Sequence, residues 1–277
     1  MTTLDYVVIG HISRDETSDG PKLGGTVSYA GFAASALGAR VGVVTSAARD
    51  ESVLNQFPAA IRVHTVPSVT STGFVNEYDG DNRRQVLLGR AAPLALAQVP
   101  RDWRSAPIIH LGPLADEVDP GMVTAFPGSL VAVTPQGWMR AWDGQGIVYR
   151  KAWPEAERVL PAAQVTVFSE EDIGRDAALE ARYAALAPLL IVTRAAKGCT
   201  LYRRDLSPLD IPAPTVHVVD ATGAGDVFAG TFLVFYQRSG DPVRACAQAN
   251  YLASQSITRP GLEGTPTQDD IRAATLG

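Results

Sequence analysis

The segment Asp220-Ala-Thr-Gly-Ala-Gly-Asp226 is followed directly by the run Val227-Phe-Ala-Gly-Thr-Phe-Leu-Val-Phe-Tyr236. Because this run is apolar on nearly every side, it predicts a helix that begins in the glycine-rich turn and is buried all round. Gly240 ends the helix, and Asp241-Pro242 predicts the start of another, with an N-cap residue followed by proline at the first helical position. This part of the chain therefore predicts a buried helix whose first turn is polar.

Upstream of this segment, short apolar runs alternate with stretches that are compatible with helices. The run Asp5–Ile9 predicts a buried first strand, and Gly25–Leu37 carries small and apolar residues at helical spacing before a stop at Gly38. Further strands are predicted at Arg40–Thr45, Ile61–Val66, Pro107–Leu111, Leu130–Thr134, Val165–Phe168, Leu189–Thr193, Cys199–Arg204 and Pro214–Val219. The alternation predicts an α/β fold, a doubly wound sheet with helices on both faces.

The segment Thr72–Leu88 breaks this rhythm. Two strand-like halves surround the turn-rich tetrad Asp79-Gly-Asp-Asn82, and this pattern predicts a projecting hairpin. The hairpin is either an edge ribbon of the main sheet or a flap over a site, and its position leaves both interpretations open.

The composition fits one folded domain over residues 1–277 with a small appendage. Hydrophobic residues make up 46% of the chain and charged residues 19%, which excludes collagen-like, coiled-coil and disordered classes. The 24 basic and 29 acidic residues give a net charge of −5, so no overall positive field attracts a nucleic acid partner.

Two further features of the sequence concern location and metals. The N-terminus lacks a signal peptide pattern, and no apolar run approaches the roughly 18 residues that a membrane span needs. We therefore expect a cytoplasmic protein with no membrane partner. Cys199, Cys246 and the four histidines show no metal-ligand spacing, which argues against a zinc site.

The turn at Asp220–Asp226 has the features of an anion site. Gly223 and Gly225 carry no side chains, so successive backbone N–H groups can point into one concavity at the start of the helix, where the helix dipole also favours negative charge. Asp226 places a carboxylate beside that concavity, where it can accept a proton. The combination suits a hydroxyl that attacks a phosphoryl group.

Other glycine-rich turns fit the sequence less well. A dinucleotide fingerprint needs a third glycine three residues after Gly225, whereas the next one is Gly230. A P-loop needs a G-K-[ST] sequence, which the chain lacks. A structural turn whose acidic residue stabilises the helix dipole stays open as an alternative.

The segment resembles the C-terminal signature of the ribokinase (PfkB) family of carbohydrate kinases, typically D-T-x-G-A-G-D. The likeness extends over almost the whole chain, through Gly10-His-Ile-Ser-Arg-Asp15, the Gly24-Gly25 pair, the hairpin and the two C-terminal helices. It implies a ribokinase-like fold with a small β lid whose strands lie within residues 11–24 and 72–90. It also implies ATP- and Mg²⁺-dependent transfer of the γ-phosphoryl group to a hydroxyl of a small sugar or cyclic polyol, with a monovalent cation requirement left open.

The resemblance implies a role for individual residues. Asp226 matches the catalytic base, and the anion hole for the transferring phosphoryl group matches Gly223, Ala224 and Gly225. The positions that match the acceptor side are Ser13, Asp15, Gly24, Gly25, Tyr29, Gln136 and Arg140. Those that match the nucleotide side are Thr193, Lys197, Gly198, Thr222 and Asn250. For magnesium, the matching residues are Asp220 and, through water, Asp172.

Purely structural interpretations compete with some of these functional roles. Asp15 fits a turn cap as well as an acceptor ligand. Gln136 and Arg140 are explained equally well by a surface turn in which Trp138 is tucked into the core.

The chain also departs from the family pattern at several positions. The family's N-x-x-E motif appears as Ser169-Glu-Glu-Asp172, and the nucleotide-side T-x-G-x-x-G motif carries Ala195 in place of its first glycine. Tyr29 stands where the family often has asparagine, so the acceptor should differ from ribose. Together with Gln136-Gly137, Tyr29 and the Ser169-Glu-Glu-Asp172 segment resemble the inositol-kinase-like branch.

Two alternatives to a polyol kinase stay open at this stage. One is a nucleoside kinase, in which Tyr29 and Phe32 would stack on a base. The other is a catalytically weak family member that binds a nucleotide or sugar, which the departures motivate. In each case the partner is a small molecule, and the chain is a monomer or a homodimer formed through the lid strands.

Overall fold

The elements of the chain are taken from a computed structural model, which describes residues 3–79 and 82–276. Gly80 and Asp81, in the predicted hairpin turn, lie outside the described residues. The strands are β1 (Tyr6–Ile9), β2 (Ser13–Thr17), β3 (Gly20–Gly24), β4 (Val41–Ala48), β5 (Arg62–Ser68), β6 (Gly73–Asp79), β7 (Asn82–Gly89), β8 (Ile108–Leu111), β9 (Leu130–Val133), β10 (Arg140–Trp142), β11 (Val148–Arg150), β12 (Val165–Ser169), β13 (Leu189–Thr193), β14 (Cys199–Arg203) and β15 (Leu209–Ile211). The helices are α1 (Thr26–Ala36), α2 (Ala156–Val159), α3 (Ala177–Leu186), α4 (Ala224–Ser239), α5 (Pro242–Ser256) and α6 (Gln268–Leu276).

A sheet of nine strands runs through the centre of the molecule in the order β15-β14-β13-β12-β9-β8-β1-β4-β5. The strands from β13 to β5 pair in parallel, while β14 and β15 pair antiparallel at one end. The strand β1 lies between β4 and β8, with Tyr6 opposite both Val41 and Ile108. Its run of uninterrupted apolar residues is explained by this position, because both of its faces are covered.

Successive side chains of β1 enter two separate cores, one on each face of the sheet. Tyr6 and Val8 pack in the core that contains residues of α1, α4, α5 and α6. Val7 and Ile9 pack in the other core, with residues of α2 and α3. The predicted α/β fold with helices on both faces of one large sheet is confirmed.

Helices α4 and α5 form as the sequence predicts. Helix α4 ends at Gly240, which adopts the left-handed conformation at a φ of 68°. Asp241 then caps α5, since its carboxylate accepts hydrogen bonds from the N–H groups of Val243 and Arg244.

One prediction about secondary structure was wrong. The segment Pro214–Val219 forms no strand; the chain instead pairs Leu209–Ile211 with β14 and then leaves the sheet. Pro212 and Pro214 supply no N–H groups for a ladder, which explains why the pairing stops there. The connections from β4 to β10 contain 3₁₀-helices of three to five residues rather than α-helices, and two of them begin at Pro120 and Pro135.

A second sheet carries the strands that the resemblance assigned to a lid. It has four strands in the order β3-β2-β6-β7, and the β10–β11 ribbon joins it through the N–H of Leu87, which donates to the carbonyl of Gly146 at 2.8 Å. Phe74 and Leu87 are buried in a small core of their own with Leu114. The interpretation of this sheet as a lid, and the pairing of two copies through it, stay predictions.

A buried carboxylate ties the end of β1 to the loop after β8. Glu117 is only 2% exposed. Its Oε1 accepts the N–H of His11 at 2.8 Å and that of Leu114 at 2.9 Å, while Oε2 accepts the N–H of Ala115 at 2.6 Å. The carboxylate therefore holds together the carboxyl ends of two neighbouring strands.

Replacing Glu117 with glutamine is expected to lower the free energy of unfolding by about 2–3 kcal/mol. The amide nitrogen of glutamine is a donor, so it would face backbone donors that now meet a carboxylate oxygen. Urea denaturation followed by circular dichroism measures the change. Glu157→Gln is the matched control, because Glu157 pairs with Arg182 at the surface and such pairs contribute little. Equal stability of the two variants would contradict the role of Glu117.

Candidate functional site

The glycine-rich turn begins α4 with unpaired backbone donors. Gly223 is the N-cap residue and has a φ of 75°, in the left-handed region that favours glycine. Ala224 donates to the carbonyl of Ala221, but within residues 3–79 and 82–276 no backbone carbonyl accepts the N–H of Gly225 or Asp226. These donors lie at the positive end of a helix of 16 residues, an arrangement that favours an anion.

The Asp226 carboxyl group lies in the first turn of α4 and is partly buried. Its pKa is raised to about 6. Burial is the main cause of the rise and the negative charge of Asp172 adds to it, while a side-chain hydrogen bond with Thr26 and the positive charge of Arg140 act to lower the pKa. Thr26, Arg140 and Asp172 come from three separate parts of the chain, and all three lie near the Asp226 carboxylate. A group with this pKa can both accept and release a proton near neutral pH.

The Ser169–Asp172 segment directs only its last carboxylate toward Asp226. Glu170 forms an ion pair with Arg194 at 2.9 Å, and Glu171 forms one with Arg175 at 3.1 Å. Asp172 accepts the N–H of Ser169 at 2.9 Å. Its other oxygen accepts the side-chain amide of Gln136, also at 2.9 Å. Gln136 therefore contacts Asp172, a partner that its sequence position did not reveal.

Asp220 is held at the opposite side of the turn by backbone donors. One of its oxygens accepts the N–H of Thr222 and the other that of Gly261, both at 2.9 Å. Burial acts to raise the pKa of Asp220, but the hydrogen bonds from Thr222 and Gly261 and the positive charge of Lys22 outweigh it and lower the pKa. Asp220 is thus ionised and fixes the shape of the turn.

These carboxylates fit a magnesium ion that is held mainly by water and phosphate. In the described part of the chain, no group of three or more His, Cys, Asp or Glu side chains is arranged to hold a metal. Asp172 and Asp220 each use their oxygens in internal hydrogen bonds. Mg²⁺ commonly keeps several waters and takes only one or two carboxylates, so this donor set suits it and not a closed protein site.

The strands β2 and β3 bring Ser13 and Asp15 together over Gly24. A Cβ atom on Gly24 would lie 2.3 Å from Asp15 Oδ2 and 2.5 Å from Ser13 Oγ. The absence of a side chain at Gly24 is therefore what allows both polar groups to occupy this position. The next residue, Gly25, is the N-cap of α1 and has a φ of 87°.

Tyr29 lies between the Asp15 side and the Asp226 side of the site. A Cβ atom on Gly223 would lie 2.3 Å from the Tyr29 ring, so the turn packs directly on this ring. Burial raises the pKa of the Tyr29 hydroxyl, and the negative charges of Asp15, Asp220 and Asp226 raise it further. The tyrosine therefore stays protonated, and its ring lies between the carboxylates of Asp15 and Asp226.

The residues predicted on the nucleotide side lie around β13, β14 and α5. Thr193 ends β13, and Lys197 lines an open cavity of about 450 Å³ with Tyr202 and Asp210. Thr222 is exposed in the turn before α4. Asn250 is buried, and its amide donates to the carbonyl of Ile211 at 2.9 Å, so it fixes the chain after β15.

Two backbone positions in the T-x-G-x-x-G-like segment are constrained. Ala195 has a φ of 48°, a conformation in which a Cβ is unfavourable, and it stands where the family motif has glycine. A Cβ on Gly198 would lie 2.1 Å from the carbonyl oxygen of Ile211. Ala195 thus adopts a backbone conformation that favours glycine, although it carries a side chain.

The residues predicted from the sequence fall into two groups. Asp226, Arg140, Asp172 and Gln136 come together, while Ser13, Asp15, Gly24 and Tyr29 approach the same turn from the other side. Sequence reasoning missed Thr26, which follows Gly25 directly. Its position immediately after the glycine pair, at the first residue of a helix, was the available signal.

Comparisons with known proteins show what this chain is similar to. Residues 151–268 match the family model described as pfkB family carbohydrate kinase. A cytidine kinase of Thermococcus kodakarensis is 28% identical over 92% of this chain and 96% of its own length.

Two solved structures share the fold. A pyrophosphate-dependent kinase in the ribokinase family, complexed with a pyrophosphate analog and myo-inositol, has a TM-score of 0.78 at 19% identity and covers 97% of this chain and 99% of its own. Ribokinase of Arabidopsis thaliana, complexed with ribose and ATP, has a TM-score of 0.73 at 16% identity and covers 99% of both chains. At these identities the structures show a common ribokinase-like fold. Among the described residues, no helix has the length and apolarity to cross a membrane.

Asp226 and Asp220 are expected to affect stability in opposite directions. The pKa of Asp226 is raised to about 6, so its ionised form opposes folding above that pH and has no effect below about pH 4. Asp226→Asn should therefore raise the free energy of unfolding at pH 7.5 by about 2 kcal/mol and leave it nearly unchanged at pH 4. The pKa of Asp220 is lowered, so its ionised form stabilises the fold at neutral pH, and Asp220→Asn should lower stability there. Urea titrations of both variants at the two pH values test this pair, and a loss of stability in Asp226→Asn at pH 7.5 would contradict it.

Proposed function

We propose that this chain, whose residues 151–268 match the model described as pfkB family carbohydrate kinase and whose fold is ribokinase-like, phosphorylates a hydroxyl of a small polyol with ATP as the donor. The observation that carries the proposal is the Asp226 carboxylate, which lies beside free backbone donors in the first turn of a buried helix. Such a carboxylate is poorly suited to hold phosphate alone, and well suited to take a proton from an attacking hydroxyl.

In the proposed reaction Asp226 is the general base. The acceptor oxygen loses its proton to the carboxylate as it forms a bond to the γ-phosphorus, while the bond from that phosphorus to the bridging oxygen breaks and ADP leaves. With a pKa of about 6, the carboxylate is mostly ionised at neutral pH and still basic enough to accept the proton. The pKa of Asp226 therefore suits a general base that acts near neutral pH.

The negative charge of the transferring group would be met by the N–H groups of Gly225 and Asp226 and by Arg140. The amides are fixed by the helix and need no rearrangement, which is the condition for strong electrostatic stabilisation. The Arg140 guanidinium is close enough to Asp226 to lower its pKa, so it reaches the same space. Bound Mg²⁺, held through water by Asp172 and near Asp220, would neutralise charge on the donor phosphates.

The acceptor is proposed to be a cyclic polyol of the inositol type. Asp15 and Ser13 present a carboxylate and a hydroxyl on one side of the site, and a carboxylate can accept two hydroxyl hydrogen bonds at once. The aromatic residues that would stack on a nucleobase are otherwise engaged. Phe32 packs on Phe57 with ring centroids 5.4 Å apart, and Tyr29 lies under Gly223.

A nucleoside acceptor is the second candidate, since the cytidine kinase of Thermococcus kodakarensis is similar over nearly the whole chain.

The phosphoryl donor also has an alternative, because one structural neighbour is described as pyrophosphate-dependent. The exposed Val218 and Val219, at 54% and 55%, precede the turn and offer an apolar surface for the base of a nucleotide donor. Pyrophosphate has no base that could contact this surface, whereas ATP has one, so the surface favours ATP as the donor. A catalytically weak binding protein has no need of a carboxylate beside the anion hole.

Asp226→Asn is expected to reduce phosphoryl transfer by about 10²–10⁴-fold, the usual contribution of a general base. Wild type and variant would be assayed with ATP and with pyrophosphate against inositols, pentoses and nucleosides. The wild-type rate should rise with pH to a plateau, with an apparent pKa of about 6 for the acid limb. An Asp226→Asn variant as active as wild type would overturn the role of the base, and turnover confined to nucleosides would favour the second candidate.

Alanine at Gly225 and at Gly223 should separate ligand binding from folding. A Cβ on Gly225 meets nothing within 4 Å, so Gly225→Ala should fold with a stability gain of about 0.5–1 kcal/mol from helix propensity. The same methyl group would stand in the anion hole and reduce kcat/KM by about tenfold or more. Gly223→Ala would strike the Tyr29 ring at a positive φ, and should lose both stability and activity. Full activity of Gly225→Ala would contradict the proposed anion hole.

A further inference from the structure

Helices α1 and α4 meet through their backbones. A Cβ atom on Gly230 would lie 2.6 Å from the carbonyl oxygen of Ala30 and 2.8 Å from its Cα. At the other end of α1, the carbonyl of Leu37 accepts a hydrogen bond from Arg238, so the two helices run in the same direction. Their first turns therefore lie side by side.

The contact fixes which residues of the first turns face each other. Thr26 precedes Ala30 by four residues, and Asp226 precedes Gly230 by four. Residues four apart occupy the same face of a helix one turn apart, so each lies one turn before the contact on the contacting face. The backbone geometry thus brings the Thr26 side chain to the Asp226 carboxylate.

The neighbours of Thr26 determine which of its two Cβ substituents faces Asp226. Thr26 is 3% exposed, and a Cβ on Gly112 would lie 2.6 Å from its Cγ2 methyl. The methyl group therefore packs on the bare backbone of Gly112, and the hydroxyl forms the side-chain hydrogen bond with Asp226. The Thr134 hydroxyl would lie 3.4 Å from the same Cβ position, and it is 2.9 Å from His110 Nε2.

We propose that Thr26 is a positioning residue, whose hydroxyl holds the Asp226 carboxylate in the orientation that accepts the proton of the acceptor. The proposal rests on the proposed function of Asp226 as the base. A hydrogen bond to one carboxylate oxygen fixes the side-chain rotation and leaves the other oxygen for the acceptor hydroxyl. Because the hydrogen bond favours the ionised form, its loss should also make the carboxyl group harder to ionise.

Other charged and titratable groups near Asp226 are identified from the elements around it. Arg140 comes from β10, and Asp172 comes from the segment that follows β12. The hydroxyls of Tyr6 on β1 and Tyr29 on α1 also feel the Asp226 charge, and burial raises the pKa of both, so they stay protonated at neutral pH. A Thr26 variant changes none of these groups directly.

The test compares Thr26→Val, which has the same shape without the hydroxyl, with Thr26→Ser, which keeps the hydroxyl. For Thr26→Val we expect a loss of about 3–10-fold on the plateau of the pH–rate profile and an acid limb displaced upward by about half to one pH unit. Thr26→Ser should restore the position of the acid limb. Melting temperatures of both variants verify that the fold is intact.

Two results would overturn the proposal. The first is a Thr26→Val variant whose pH–rate profile has the same acid limb and the same plateau as wild type. The second is a Thr26→Val variant whose KM for the acceptor is raised while its acid limb is unmoved, because Thr26 would then contact the substrate and not position the base. Asp226→Asn, measured in parallel, separates the two levels of inference. If Asp226→Asn is inactive while Thr26→Val behaves as wild type, only the role of Thr26 fails; if Asp226→Asn is active, the function proposed for Asp226 fails as well.

Discussion

The backbone contact between Gly230 on α4 and Ala30 on α1 is the constraint on which the site depends. It requires a residue without a side chain on α4, and it sets the two helices side by side with their first turns at the same edge of the sheet. Both helices begin with a glycine in a positive-φ conformation, Gly25 and Gly223. The close approach of the helices thus determines where two helix N-termini, the Asp226 carboxylate and the Thr26 hydroxyl lie relative to one another.

This arrangement also bears on the proposed binding of an anionic donor by an acidic chain. The net charge of −5 opposes a polyphosphate at long range. The backbone N–H groups of the first turn of α4 and the Arg140 guanidinium supply local positive potential where the phosphoryl group would transfer. Asp226 is retained among them although burial makes its ionised form unfavourable. A carboxylate that lowers stability at neutral pH is expected where the proton-accepting function requires it.

The sequence predicted the elements that are fixed by local pattern. β1 and α1 follow from apolar spacing, and the start of α4 follows from the glycine-rich turn. The strand predicted at Pro214–Val219 was wrong because β-branched residues suggested pairing, whereas the prolines and the Asn250 contact with Ile211 end the sheet earlier. The Glu117 hydrogen bonds and the pairing of Gln136 with Asp172 join residues through tertiary structure, so no local pattern indicates them. Thr26 has a local signal in its position directly after the glycine pair, but only the packing of α1 on α4 brings it to Asp226.

Direct titration of the Asp226 carboxyl carbon by ¹³C NMR, assigned with the Asp226→Asn variant, tests the central claim that this group is a base poised near neutral pH. A partly buried carboxylate near Thr26, Arg140 and Asp172 should titrate with a pKa of about 6. A pKa near the ordinary value of 3.8 would contradict that claim, because Asp226 would then be an exposed carboxylate at the start of a helix and not a proton acceptor matched to its reaction.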